Sequence, residues 1–388
     1  MNSCCTSLKK SSHADFLDYP ESSCSALLAF LKMSFRLPLL LPNKFTKLLS
    51  AWRQNGVPHI AVASIAQYLW SSEVVCVASR DGYLRLLFND MSFVFEKHVG
   101  PEAVWCLCAG WDHLYVSLFG RGLEALAFED RLPLRHRLSC NFTFLCVCCT
   151  TRNVCAGTDH GTCYICAPNL ITLQIICIGW HLNRGREVNC CVPLRDGLLV
   201  GTEHGELLQA LELPAHSLAL PAQAHVVKFY PASEIYSLCF SQKHGLIFVG
   251  LGQGAEAICP ETYDSIFLIP TVTSVWSLSM QAGSDVIMLG TQLDGVMVFL
   301  LTRPDLFEYS ITGLEYRPGI GTCSAIRYAS DGSWYAASNR SLLFHVSTLG
   351  VLSSRSIAGP VLEADDPSGI PRFDIYDVCI AWVGGPRL

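Results

Sequence analysis

Charge is what this sequence has least of. Only 15% of its residues are Asp, Glu, Lys or Arg, against roughly a quarter in an ordinary soluble domain. With 27 Lys plus Arg and a formal net charge of −6, the surface is not built to neutralise phosphates, so nucleic acid and anionic lipid are excluded as main partners. Long apolar runs are missing as well. No stretch supplies the ~18 uninterrupted apolar residues that a membrane span needs, and "SALLAFLKMSFRLPLLLP" is broken by Lys32, Arg36 and Pro38. Polar residues separate Lys9 and Lys10 from that stretch, so no export signal is recognised. The chain is therefore expected to be soluble and cytoplasmic. Residues 1–32, rich in Ser and Cys, read as a flexible extension or an upstream start ahead of Met33.

Catalytic signatures are also lacking. There is no phosphate-binding P-loop, no His-Glu-x-x-His, no Gly-x-Ser-x-Gly and no dinucleotide fingerprint. These absences argue against an enzyme and against a cofactor. Sustained helical periodicity is absent except for a short candidate helix at "NKFTKLLSAWRQ", residues 43–54.

What is present is apolar, sulfur-rich and repetitive. Hydrophobic residues make up 51% of the chain, and the 20 cysteines are spread through apolar runs such as "FTFLCVCC" and "VWCLCAG". Free Cys packs as a small hydrophobe, which suits a reducing compartment. The glycosylation triplets at Asn141 and Asn339 mean nothing without export.

Short segments with an early aromatic recur as "AVWCLCAG" (103–110), "EIYSLCFS" (234–241), "SVWSLSMQ" (274–281) and "DIYDVCIA" (374–381). Looser copies begin at Thr143, Glu187 and Thr322. Paired with these copies are second apolar runs that end in turns: "VVCVASRDG", "LYVSLFGRG", "VCAGTDHG", "LLVGTEHG", "IFVGLGQG", "VIMLGTQLDG" and "WYAASNRS". The closing residues Gly82, Gly122, Gly161, Gly205, Gly254, Gly295 and Ser341 are 40, 39, 44, 49, 41 and 46 residues apart. A four-stranded propeller blade has a period of ~40–45 residues. The segments are five to eight residues long, rich in Val, Ile, Leu and aromatics, and bounded by Gly, Pro, Asp and Ser. The fold class is thus all-β, a β-propeller over residues 57–388 behind an extension of residues 1–56. Seven turns give seven blades. The C-terminal copy, which has no second strand after it, leaves two readings open. Either residues 376–382 complete the blade containing Val74 to Phe88, displacing "HIAVASIA", or they join N-terminal residues near "SFRLPLLL" in an eighth blade.

The turns resemble those of WD-repeat propellers, where a small-Ser-x-Asp-Gly pattern links the second and third strands. "ASRDG" (78–82) matches well and "GTQLDG" (290–295) with one extra residue. "GTDHG" and "GTEHG" place His160 and His204 at the Asp position, which elsewhere holds Arg121, Gln253 and Arg340. The naming Trp-Asp pair is absent from the third strands, so the resemblance is to a divergent WD-repeat-like propeller without a subfamily. It implies a protein-binding scaffold.

Four places carry candidate chemistry. His160 with Asp159, and His204 with Glu203, lie at equivalent turns of neighbouring blades; a metal could draw on them, but polar residues are what a hairpin turn needs. Cys146, Cys149, Cys163 and Cys166 have a zinc-ribbon spacing. Residues three apart on a strand face opposite ways, so buried structural thiols are expected instead. Phe119-Gly-Arg-Gly122 faintly resembles a phosphoinositide-binding motif but sits at an ordinary turn. Tyr236 and Trp276 fall on innermost strands, where they are expected mainly as core between blades, with lining of the channel mouth as the alternative. No residue is assigned a catalytic, cofactor-binding or metal-binding role. The expected function is a non-enzymatic scaffold, a subunit or adaptor contacting proteins or peptides through loops 211–231 and 363–374. The competing class is a ligand-binding or catalytic propeller using the central channel.

Overall fold

Six of the seven turn-closing residues are glycines, and all six have positive φ: Gly82 (76°), Gly122 (101°), Gly161 (73°), Gly205 (77°), Gly254 (150°) and Gly295 (76°). Residues with a Cβ rarely take this conformation. At Gly205 a Cβ would also lie 2.1 Å from the Tyr230 carbonyl oxygen. The repeated turn glycine is therefore a backbone requirement of each hairpin. Ser341, at the seventh turn, lies outside the described residues.

The computed structural model describes residues 72–383, apart from 80, 89–90, 92, 129–131, 179–186, 195–196, 212–223, 281–282, 304–308, 330, 339–341, 348–349, 351 and 357–374. The extension 1–56, its candidate helix at 43–54, "HIAVASIA" and the loop 363–374 fall outside them. Within them lie seven antiparallel sheets of four strands each. The chain enters with β1 (Ser72–Ser79), β2 (Tyr83–Phe88) and β3 (Phe93–His98). Blade 1 follows with β4 (Val104–Gly110), β5 (His113–Leu118), β6 (Gly122–Ala127) and β7 (Leu134–Ser139). Blade 2 has β8 (Phe144–Cys149), β9 (Val154–Thr158), β10 (Thr162–Cys166) and β11 (Thr172–Cys177). Blade 3 has β12 (Val188–Leu194), β13 (Gly197–Thr202), β14 (Glu206–Leu211) and β15 (Ala224–Phe229). Blade 4 has β16 (Ser237–Ser241), β17 (Leu246–Leu251), β18 (Gly254–Ile258) and β19 (Ser265–Pro270). Blade 5 has β20 (Val275–Met280), β21 (Val286–Thr291), β22 (Val296–Thr302) and β23 (Ser310–Arg317). Blade 6 has β24 (Cys323–Tyr328), β25 (Trp334–Ser338), β26 (Leu342–Val346) and β27 (Leu352–Ser356).

The ring closes through the C-terminus. β28 (Ile375–Val383) pairs with β1 from Ser72↔Val383 to Ser79↔Ile375, giving blade 7 the order β28-β1-β2-β3. The first of the two open readings holds and there are seven blades. Inner strands contact one another in the cycle β28, β4, β8, β12, β16, β20, β24 and back to β28.

One expectation is corrected. The proposed contact loop 211–231 begins in β14 and contains β15, which pairs with β14 from Glu206↔Phe229 to Ala210↔Ala224. The segment "AHVVKF" is the outer strand of blade 3. It has one strand neighbour and an exposed side, so its mixed polarity reads as loop in sequence although its backbone is bound in a ladder.

The core lies between blades. One cluster joins Val75 and Val77 of blade 7 to Tyr335 and Ala337 of blade 6, and another joins Cys155 and Cys163 of blade 2 to Val188 and Val200 of blade 3. The second residue of each inner copy, namely Val104, Phe144, Val188, Ile235, Val275 and Cys323, is fully buried. Each apolar side chain of this kind contributes roughly 1.5–3 kcal/mol by burial. Two residues further on, in blades 1 to 5, a small side chain ties the blade to its neighbour. Cys106 Sγ donates to the Phe144 carbonyl (3.4 Å), Cys146 Sγ to Val188 (3.5 Å), Cys190 Sγ to Ile235 (3.9 Å) and Ser237 Oγ to Val275 (3.0 Å). At the next junction the direction reverses, and the Ile326 N–H donates to Ser277 Oγ at 3.0 Å.

Blade 7 carries a buried ion pair in its hairpin. Arg85 donates to both Asp81 oxygens, at 3.1 and 2.6 Å, and to Ser79 Oγ at 2.7 Å. Their side chains are 5% and 8% exposed. The matched "ASRDG" aspartate therefore holds its own hairpin together.

Candidate functional site

The "GTDHG" and "GTEHG" turns are clamped by their own side chains. Thr158 Oγ1 accepts from the N–H groups of His160 (3.3 Å) and Thr162 (3.1 Å), and Thr202 Oγ1 accepts from Glu206 (3.1 Å). Asp159 Oδ2 accepts from the Thr143 N–H at 3.2 Å, and Glu203 Oε1 from the Glu187 N–H at 3.3 Å. In both blades the turn carboxylate thus pins the residue just before the inner strand. His160 and His204 each sit 3.8 Å from their neighbouring carboxylate and are largely exposed. Among the described residues, no three His, Cys, Asp or Glu side chains gather as a metal-binding group.

The zinc-ribbon cysteines are divided between two interfaces. Cys149 and Cys166 join the cluster between blades 1 and 2, with Cys149 Sγ 3.5 Å from Cys108 Sγ. Cys146 and Cys163 join the cluster between blades 2 and 3, where Cys191 Sγ lies 3.4 Å from Cys148 Sγ. Hydrogen bonding to Cys191, then burial, pushes the Cys146 thiol well above its ordinary range, and burial does the same to Cys190. Phe119 and Arg121 occupy an exposed turn, with Arg121 paired to Glu102 at 2.9 Å.

The site that does assemble is the channel. Inner strands of blades 1 to 6 surround a cavity of about 580 Å³, within the range of ligand pockets. Its mouth is set by a repeated irregularity. β8, β12, β20 and β24 each carry a bulge at Leu145, Asn189, Trp276 and Ser324, and β4 carries one between Val104 and Leu107 that includes Trp105. A bulge re-aims a side chain out of the alternating pattern, and these residues line the cavity. Tyr236 holds the same place in blade 4, its N–H bonded to the Gly250 carbonyl at 2.9 Å. Three aromatics, Trp105, Tyr236 and Trp276, thus face one space and remain half-buried. Trp105 is braced by the Phe119 ring at 6.0 Å, and Asn189 Nδ2 donates to the Ile235 carbonyl at 3.2 Å.

Carboxylates converge beside them. Glu187 and Glu234 line the cavity from adjacent blades. Burial first, then the charges of Glu203, Asp159 and Glu234, raises the Glu187 carboxyl above its ordinary range. Arg184 and Arg186, just before Glu187, lie outside the described residues. Arg327 lines the cavity deeper along β24 and donates to its neighbouring Ile326 carbonyl at 2.7 Å. Among the described lining residues, the arginine therefore lies below the two carboxylates. The sequence reads Tyr236 and Trp276 mainly as core between blades, whereas both line the cavity, and it shows no gathering of charged groups, because Glu187 and Glu234 are 47 residues apart and meet only when the ring forms. Their shared place as the first residue of the inner copies "EVNCCVPL" and "EIYSLCFS" was the available signal.

No family model and no curated protein matches the chain. Among solved structures it is similar to the computationally designed Ika8 protein, at 12% identity over 74% of this chain and 87% of that one, with a TM-score of 0.54. It is also similar to the β-propeller domain of Cps50 (Swd1) from Myceliophteria thermophila, at 10% identity over 66% and 86%, with a TM-score of 0.52. Identities this low establish the propeller fold alone.

Proposed function

We propose that the protein is a non-enzymatic interaction scaffold, a WD-repeat-like propeller that serves as a subunit or adaptor of a larger complex and takes a protein partner at its channel mouth. The observation that carries this reading is the cavity itself, in which three half-buried aromatics and two carboxylates converge on a frame of seven sheets. Aromatic side chains offer large, rigid contact area and dominate binding hot spots. Burial raises the Cys190 thiol and hydrogen bonding with burial raises that of Cys146, both of which line the cavity. An activated cysteine nucleophile needs the opposite shift, which supports a binding role over catalysis. The inter-blade thiols act as S–H donors, chemistry suited to the reducing cytoplasm, where we place the protein.

The test is affinity purification of the tagged full-length protein at near-physiological salt, with quantitative mass spectrometry, alongside a Trp105→Ala/Trp276→Ala variant of matched melting temperature. A stoichiometric protein partner held by the wild type and lost by the variant supports the reading. A wild-type protein that purifies alone and monomeric sinks it and favours a small-molecule ligand in the channel.

A further inference from the structure

We infer that the channel mouth recognises the cationic end of a lysine or arginine side chain presented in an extended segment of the partner; this rests on the mouth being the partner site. Two independent features of the cavity agree on the ligand's charge. The first is the aromatic set: Trp105, Tyr236 and Trp276 face the same space from blades 1, 4 and 5, and ring faces attract ammonium and guanidinium groups. The second is the carboxylate pair of Glu187 and Glu234, with Asp159 and Glu203 close enough for their charges to act on Glu187. Their mutual repulsion is relieved by a cation seated among them.

The arrangement favours a side chain over a bare ion. Asp159 and Glu203 already accept backbone N–H groups, and no metal-binding group of three forms among the described residues. The aromatic surface, by contrast, suits the apolar stem of lysine or arginine, which packs along rings while its charged head reaches polar groups. Arg327 deeper in the channel repels a second cation and keeps the charged head at the mouth. Among the described residues that line the cavity, Arg327 is the one lysine or arginine, and it lies further along β24 than the level of Glu187 and Glu234.

The test uses the full-length protein and fluorescein-labelled nonapeptide pools whose central residue is fixed as Lys, Arg, Glu or norleucine, every other position being an equimolar mixture. Fluorescence polarisation is expected to show binding of the Lys or Arg pools at least tenfold tighter than of the Glu and norleucine pools, weakening as salt rises. Glu187→Gln and Glu234→Gln are each expected to weaken the preferred pool about tenfold, the usual scale of a lost hydrogen bond to a charged group. Asp264→Asn, at an exposed position outside the cavity, should leave binding unchanged. Equal binding of all four pools, or unchanged binding by both glutamine variants, overturns the inference. A captured partner that is lost with Trp105→Ala/Trp276→Ala but kept by a Glu187→Gln/Glu234→Gln double variant overturns the cation inference and leaves the scaffold standing. Absence of any captured partner removes both.

Discussion

Gly157→Ala tests the packing on which the propeller depends. Gly157 lies on β9, where a Cβ would fall 2.1 Å from Val188 Cγ1, 2.7 Å from Val188 Cβ and 2.8 Å from Cys146 Sγ. Carbon atoms in contact sit ~3.5–4.0 Å apart, so the inner strand of blade 3 must retreat by about 1.5 Å at a residue that is fully buried. Overpacking of this kind costs about 1–3 kcal/mol, and the upper end applies because neither neighbour is a flexible surface chain. At ~2–4 °C per kcal/mol, the midpoint in differential scanning calorimetry should fall by several degrees. Val188→Ala removes the nearest clashing atom, so a double-mutant cycle should show a favourable coupling of about 0.5–3 kcal/mol. Rescue stays partial because the Cβ of residue 188 at 2.7 Å and Cys146 Sγ at 2.8 Å remain in the way. Gly319→Ala is the control, since nothing lies within 4 Å of a Cβ there, and it should change stability by less than ~0.5 kcal/mol. A Gly157→Ala protein that melts like wild type, or strict additivity in the cycle, would refute the packing argument.

Deleting residues 375–388 removes β28 and opens the ring beside β1, whose Val74 to Ala78 are fully buried; calorimetry should show loss of the cooperative transition, with dye binding to exposed apolar surface. Asp81→Asn removes the carboxylate that holds the buried Arg85 guanidinium at both oxygens and leaves Glu96, 3.4 Å from Arg85 Nε, as its remaining ion-pair partner; the loss should cost about 2 kcal/mol, read by urea denaturation. Burial alone would raise the Asp81 carboxyl, but hydrogen bonds from Arg85 and Ser79 outweigh it and the net shift is downward. A depressed folded-state value contributes stability that is complete above the unfolded aspartate range and lost as pH falls through the folded value, below about pH 4. The wild type should therefore lose stability over that acid range more steeply than Asp81→Asn. Among the described cysteines, native alkylation mapped by mass spectrometry should modify exposed Cys177 first and buried Cys163 only after unfolding; early labelling of Cys163 would contradict its burial between blades.

The blade period was legible because each hairpin demands a residue with positive φ, and Gly82 through Gly295 mark that demand in the chain. Closure by the C-terminal copy was legible for a related reason: "DIYDVCIA" repeats the inner-strand pattern and needs a blade to finish. The outer strand β15 was missed because one ladder partner and an exposed side leave Val226 and Phe229 open to solvent, so apolar periodicity no longer reports on pairing. The charged mouth was missed because Glu187 and Glu234 are 47 residues apart and meet only when the ring forms. The aromatic lining was misread because the bulge at Trp276 shifts which side chains face the channel, and strict alternation assigns them otherwise.

The cysteine content follows from the same geometry. In blades 2 to 4 the belt position must be small, since the strand behind it carries Gly157, Gly201 or Gly250 with no room even for a Cβ. It also supplies a donor to a facing carbonyl shut away from water, although the Phe144 carbonyl accepts from Ser117 Oγ as well and the Ile235 carbonyl from Asn189 Nδ2. Ser meets both conditions with a 3.0 Å bond from Ser237, and Cys meets them with longer, weaker bonds from Cys106, Cys146 and Cys190 but buries more apolar surface. Blades 1 to 3 use sulfur and blades 4 and 5 use oxygen. A chain with so little charge can fill its junctions with thiols because the junctions, closed by neighbouring sheets, need weak donors and close packing more than ionic contacts.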